Sequence, residues 1–143
     1  MRDNIAVLLV DDDQVDIMTV KRAFKVNNIT NPLSIVGNGQ EALDYLLHQG
    51  RYSDIREHPD PGIILLDLNM PVMNGIEFLK IAKNNHLLKK IPVIVLTTSK
   101  EESDRVESFN LCVAGYIIKP VEFEKFVDAV RVLNMYWTLS ELP

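Results

Sequence analysis

The chain has 143 residues, 47% of them hydrophobic and 24% charged, with a formal net charge of −5. That length fits one domain able to bury a core without staples, and the acid excess argues against a nucleic-acid or anionic-membrane partner. A single cysteine, Cys112, excludes an intrachain disulfide, and its neighbours Leu111, Val113 and Ala114 predict a small buried residue rather than a reactive thiol.

The first apolar run, Ile5–Val10, follows Met1-Arg2-Asp3-Asn4 directly. It is too short for a signal-peptide core or a membrane span, so a cytoplasmic protein is expected. Its continuous Val/Leu/Ile character suits a strand covered on both faces. Asp11-Asp12-Asp13 ends it, and Val15, Met18, Val20, Ala23 and Phe24 then mark a first helix. Leu33–Val36 is a weaker run suited to a sheet edge. Asn38 and Glu41, in N-cap and N3 positions, open a second helix carrying Ala42, Leu43, Leu46 and Leu47. The connection from His48 to Gly62, with Pro59 and Pro61, is long for a compact α/β unit and reads as a local insertion.

Ile63–Leu66 forms the third strand and runs into Asp67. Asn74 and Glu77 open the third helix, marked by Ile76, Leu79, Ile81 and Ala82. Pro92 precedes Val93–Leu96, the fourth strand, which ends in Thr97-Thr98-Ser99. Ser99 and Glu102 open the fourth helix, marked by Val106, Phe109 and Leu111. Tyr116–Ile118, a weak edge-type run, stops at Lys119-Pro120. Phe123, Phe126, Val127, Val130, Leu133 and Trp137 share one face of a last helix. Five strand–helix alternations predict a parallel sheet with helices on both faces and right-handed crossovers. One domain is expected over 1–143, with its core at about 5–133 and a helical extension at 134–143.

In an open parallel sheet the strand carboxyl ends line one edge, where ligands bind. That edge would gather Asp11, Asp12, Asp67, Thr97 and Lys119. Each residue alone is ordinary, since a strand-end acid is often a cap and a lysine is usually solvated. Together they supply what phosphoryl transfer to a carboxylate needs. Carboxylates repel one another and invite a hard divalent cation with oxygen ligands. Asp67 offers a nucleophile, Lys119 a compact cation for phosphoryl oxygens, and Thr97 a hydroxyl donor.

This set resembles the receiver domain of two-component response regulators. The resemblance rests on Asp11-Asp12, on Leu66-Asp67-Leu68-Asn69-Met70-Pro71, on Thr97 and on Lys119-Pro120. It implies a flavodoxin-like, doubly wound, five-stranded parallel sheet of order 2-1-3-4-5 with five helices. It further implies phosphorylation of Asp67 by a histidine kinase with Mg²⁺ or Mn²⁺. Asp12 would ligate directly, Asp11 mainly through water and Asn69 through its backbone carbonyl, beside Asp67 itself. Tyr116 would turn inward as Thr97 moves, and the Lys119–Pro120 peptide would be cis. The long Gln49–Gly62 connection and the ending Tyr136–Pro143 resemble the stand-alone regulators of bacterial and cyanobacterial phytochromes, which implies a kinase of that type as partner. Two positions stand out against the family pattern. Thr98 is bulkier than usual beside the switch position, and Asn69 is a polar residue able to help place an attacking water.

A row at Val132, Met135, Tyr136, Leu139 and Leu142 is either a homodimer surface, to which the phytochrome-regulator resemblance points, or a tail face that folds back onto its own domain. His48, His58 and His86 lack metal-ligand spacing and are expected to be solvated. A regulatory domain is expected rather than an enzyme that turns over other substrates. A haloacid-dehalogenase-type phosphatase would want an aspartate where Asn69 stands, and a dinucleotide-binding protein would want a glycine-rich turn where Asp11-Asp12-Asp13 stands.

Overall fold

A computed structural model describes residues 5–119 and, beyond them, residues 123, 124, 127, 128 and 130–132. The strands are β1 (Ala6–Val10), β2 (Leu33–Val36), β3 (Pro61–Asp67), β4 (Val93–Thr97) and β5 (Gly115–Ile118). The helices are α1 (Gln14–Val26), α2 (Gly39–Leu46), α3 (Gly75–Lys83) and α4 (Lys100–Ser108), and the described residues among 123–132 are helical. All strand pairs are parallel, in the order β2-β1-β3-β4-β5. This is the expected flavodoxin-like topology.

Period-two alternation explains how continuous apolar strands serve two layers. Leu8, Val10, Ile64, Leu66, Val93 and Val95 face α2, α3 and α4 through Ala42, Leu46, Phe78, Leu79 and Val106. Val7, Leu9, Ile63, Leu65, Ile94 and Leu96 face the other way, onto Ile17, Val20 and Phe24 of α1 and onto Val130. β1, β3 and β4 are therefore buried almost throughout, while β2 and β5 are half-buried edges.

Several expectations need correction. Val15 and Met18 of α1 are 71% and 61% exposed, because the stripe facing the sheet is Ile17, Val20, Ala23 and Phe24. Ile81 and Phe109 are also exposed, and Lys80 Nζ lies 3.8 Å from the Phe109 ring centroid. Cys112 is exposed rather than buried, since its segment is a loop that turns Leu111 and, in part, Val113 inward on either side of it. Of the three expected reciprocal caps, only Asn74 and Glu77 close a full box. Asn38 and Ser99 do cap their helices, but the Glu41 and Glu102 carboxylates go to other donors.

The insertion is packed rather than loose. Tyr52, in a short 3-10 turn at Gly50–Tyr52, is buried with its ring 5.3 Å from that of Tyr45 and 5.1 Å from that of His58. His48 Nε2 meets Asp60 Oδ1 at 2.7 Å. His48 and His58 thus hold the insertion and are not merely solvated; His86 is exposed, as expected.

Candidate functional site

β1 runs directly into Asp11, β3 ends on Asp67, β4 ends on Thr97, and Lys119 follows β5. The pairings Val10↔Leu66, Asp67↔Leu96 and Thr97↔Ile118 bring those ends level. Carboxylate oxygens of Asp11, Asp12 and Asp67 lie within 4.8 Å of one another, with Asp11 and Asp67 buried and Asp12 exposed. Asp11 Oδ1 accepts the Asp13 N–H at 2.9 Å, while Asp13 itself caps α1 by accepting the Val15 N–H. Asp11 Oδ2 is buried without a hydrogen-bond donor. An acid cluster with one such open oxygen and one solvent-facing carboxylate fits a hard divalent cation with oxygen ligands.

Lys119 supplies the positive charge. Its side chain is 14% exposed, and Nζ donates to Asp67 Oδ1 at 3.0 Å, donates also to Asp16 Oδ2, and stands 3.7 Å from Asp11 Oδ2. Burial pushes the Asp11 carboxyl up to about 7 against the pull of the Asp13 N–H and Lys119, and the nearby Asp67 charge adds to the rise. Burial likewise raises Asp67, opposed chiefly by Lys119. Burial works against the charge of Lys119, but Asp16 and the two other carboxylates outweigh it and raise its pKa. Asp16 escaped the sequence reading. It lies in the first turn of α1, which starts right after the β1 end, so an acid there overlies the same crevice.

Thr97 is 1% exposed, and its hydroxyl lies 2.7 Å from Glu102 Oε1 and 2.9 Å from the Ser99 carbonyl. One proton cannot serve both at once, and the carboxylate is the stronger acceptor. Glu102 also accepts from the Thr98 N–H at 2.8 Å, the Thr98 hydroxyl at 3.0 Å and the Asn69 amide at 2.6 Å. Burial would raise the Glu102 pKa, yet these donors bring it down to about 2. In the sequence Glu102 has the spacing of a cap partner of Ser99, and its bonds to Thr97 and Asn69 arise only in the fold. Tyr116 is half-buried, with its hydroxyl 3.5 Å from the Ser103 carbonyl.

The loop after Asp67 is tightly made. Gly75 donates its N–H to the Leu68 carbonyl at 3.0 Å, and a Cβ there would stand 2.5 Å from the Asp67 carbonyl oxygen. Val72 has φ 66° between the Pro71 carbonyl and the Met73 N–H, which bond at 2.7 Å. That is a strained γ-turn, uncommon for a β-branched residue. Pro120 lies outside the described residues, as do Met135, Tyr136, Leu139 and Leu142. Of the apolar tail row, Val132 is described and is 57% exposed. Among the described residues no helix is long and apolar enough to cross a membrane.

The response regulator receiver domain family matches this chain over residues 7–131. Response regulator Rcp1 of Synechocystis is 37% identical over 131 residues, which covers 92% of this chain and 87% of that protein. Its Mn²⁺-bound structure superposes with a TM-score of 0.79 over 93% of this chain and 94% of that one, at 37% identity. The bacteriophytochrome response regulator RtBRR is 42% identical, with a TM-score of 0.79 over 89% of this chain and 76% of that one. The phosphorylated cyanobacterial phytochrome response regulator RcpA is 34% identical, with a TM-score of 0.83 over 98% and 97% of the two chains.

Proposed function

This chain belongs to the response regulator receiver family, and from that premise we propose that Asp67 accepts a phosphoryl group from a histidine kinase in a reaction dependent on Mg²⁺ or Mn²⁺. The observation that carries the reading is the Asp11–Asp12–Asp67 cluster, with oxygens within 4.8 Å and the Lys119 ammonium 3.0 Å from Asp67. Asp12, Asp67, the Asn69 backbone carbonyl and, through water, Asp11 are the groups that would hold the cation. When bound, the cation neutralises the carboxylates and the charge on phosphoryl oxygens.

The protein's own residues do the rest. An Asp67 carboxylate oxygen attacks phosphorus as the phosphorus–nitrogen bond to the donor imidazole breaks. The nitrogen keeps the bonding pair and takes a proton from solvent. Lys119 holds Asp67 in place and offers its charge to the arriving phosphoryl group. Thr97 donates its hydroxyl to a phosphoryl oxygen, and Tyr116 follows that movement. The acyl phosphate is later hydrolysed at the same site, so the chemistry is regulatory and does not turn over other substrates.

The long Gln49–Gly62 connection, packed through Tyr52, and the phytochrome association in the relatives' names support a phytochrome-type kinase as donor. Output through a homodimer is supported by exposed Val132, at the start of the apolar tail row. Light scattering on the full chain and on a version ending at residue 133 tests the dimer, and monomers in both would end it.

Incubation with acetyl phosphate and Mg²⁺, followed by intact-mass measurement, tests the site. One added phosphoryl group is expected on the native chain, none on Asp67→Asn and none in EDTA. A phosphoryl group retained by Asp67→Asn would move the site elsewhere.

A further inference from the structure

We propose that Glu102 is a positioning residue that occupies the Thr97 hydroxyl in the unphosphorylated protein and must give it up before that hydroxyl can reach a phosphoryl oxygen. The inference rests on the reading of Asp67 as phosphoacceptor. Glu102 lies in the first turn of α4, where the helix end favours an acid. Its expected task there was to close a cap on the Ser99 N–H, but its carboxylate turns to the two strand-end loops instead.

Oε1 takes the Thr97 hydroxyl at 2.7 Å together with the Thr98 N–H and hydroxyl. Oε2 takes the Asn69 amide at 2.6 Å, two residues beyond Asp67. One carboxylate therefore ties the loop after β3 to the loop after β4. A phosphoryl group on Asp67 and the Glu102 carboxylate compete for the same single hydroxyl proton. If Thr97 leaves, Oε1 keeps both Thr98 donors and Oε2 keeps Asn69, so Glu102 is not stranded. Release costs one charge-assisted hydrogen bond, which scales the effect at about tenfold in the affinity of a phosphoryl group or its mimic.

Calorimetric titration with beryllofluoride in the presence of Mg²⁺ reads this directly on the full chain. Glu102→Gln weakens the acceptor without emptying the site, and about tenfold tighter beryllofluoride binding is expected. Glu101→Gln removes the same charge from the same turn at an exposed side chain, and little change is expected there. In a Thr97→Val background, Glu102→Gln should give no further gain, because the competition runs through that hydroxyl. Unchanged or weaker binding in Glu102→Gln, an equal gain in Glu101→Gln, or a gain that survives Thr97→Val would each overturn the assignment. Native protein that takes no phosphoryl group from acetyl phosphate would sink the Asp67 reading itself. Normal labelling with no Glu102 effect would sink the latch alone.

Discussion

Lys119 Nζ donates to Asp67 Oδ1 at 3.0 Å across 52 residues of sequence, and the same ammonium is the shared partner of Asp16 and Asp11. One cation thus serves three carboxylates in a mostly buried crevice. Lys119→Met keeps most of the length of the side chain and removes the charge. The expected result is a fall of about a hundredfold in the rate of phosphoryl uptake from acetyl phosphate, the scale seen when one preorganised electrostatic group is lost. Thermal stability without Mg²⁺ should also fall at pH 7, because three acids are left without their cation. Stopped-quench mass spectrometry and melting curves check the two effects separately. Uptake at the native rate would remove Lys119 from the chemistry.

The acid crevice also predicts how stability follows pH when the cation is chelated. Asp11 is pushed up to about 7 in the folded protein, well above its ordinary 3.8, first by burial. The folded state therefore binds this proton more tightly than the unfolded chain does. The stability this proton confers is fully present below about pH 4 and is lost as pH rises towards 7. In EDTA, melting temperature should decline over that window. Mg²⁺ should restore more stability at pH 7 than at pH 5, because it competes with the proton less there. A flat EDTA profile in native protein, or an unchanged one in Asp11→Asn, would contradict the account.

Gly75 offers a steric test of the loop that carries the phosphoacceptor. A Cβ at this position would stand 2.5 Å from the Asp67 carbonyl oxygen and 2.9 Å from Leu68 Cα. Both are backbone atoms that no rotamer change can move aside. Gly75→Ala should destabilise the protein by about 1–3 kcal/mol, as overpacking does. Any surviving fold should have the end of β3 displaced, with slower labelling of Asp67. Denaturant melts and the labelling rate read the two consequences, and native values for both would show that α3 can start with a side chain there.

What the sequence made legible follows from where its signals are local. Continuous apolar runs marked β1, β3 and β4 because those strands are covered on both faces, and the acids, hydroxyl and lysine at their ends followed from the geometry of a parallel sheet. Asp16 and Glu102 were not assigned to the site because their roles depend on which way a first-turn side chain points. For Asp16 that direction is set by Lys119, far away in sequence, and for Glu102 by Asn69 after β3 together with Thr97 and Thr98 at the end of β4. Val15 and Met18 misled for a related reason: apolar residues at plausible helical spacing define a stripe only once the sheet fixes its centre at Ile17, Val20 and Phe24. Cys112 sits in an apolar stretch whose backbone is a loop, so composition overstated its burial. His48 and His58 lacked metal spacing, and the aromatic packing that engages His58 exists only when the insertion is folded back.

The insertion gives the last test, at Tyr45. Its ring is nearly fully buried, and its hydroxyl lies 2.9 Å from Ser34 Oγ and 3.1 Å from the Pro59 carbonyl. That hydroxyl joins α2, β2 and the end of the insertion, while the ring itself packs on Tyr52 and His58. Tyr45→Phe keeps the packing and deletes the hydroxyl. Stability should fall by about 1 kcal/mol, the scale of one net hydrogen bond. The loss should be local, so limited proteolysis within residues 53–60 should speed up. Acetyl phosphate should still label Asp67 at the native rate, because the insertion lies outside the acid crevice. Slower labelling in Tyr45→Phe would mean that the insertion bears on the phosphorylation site after all.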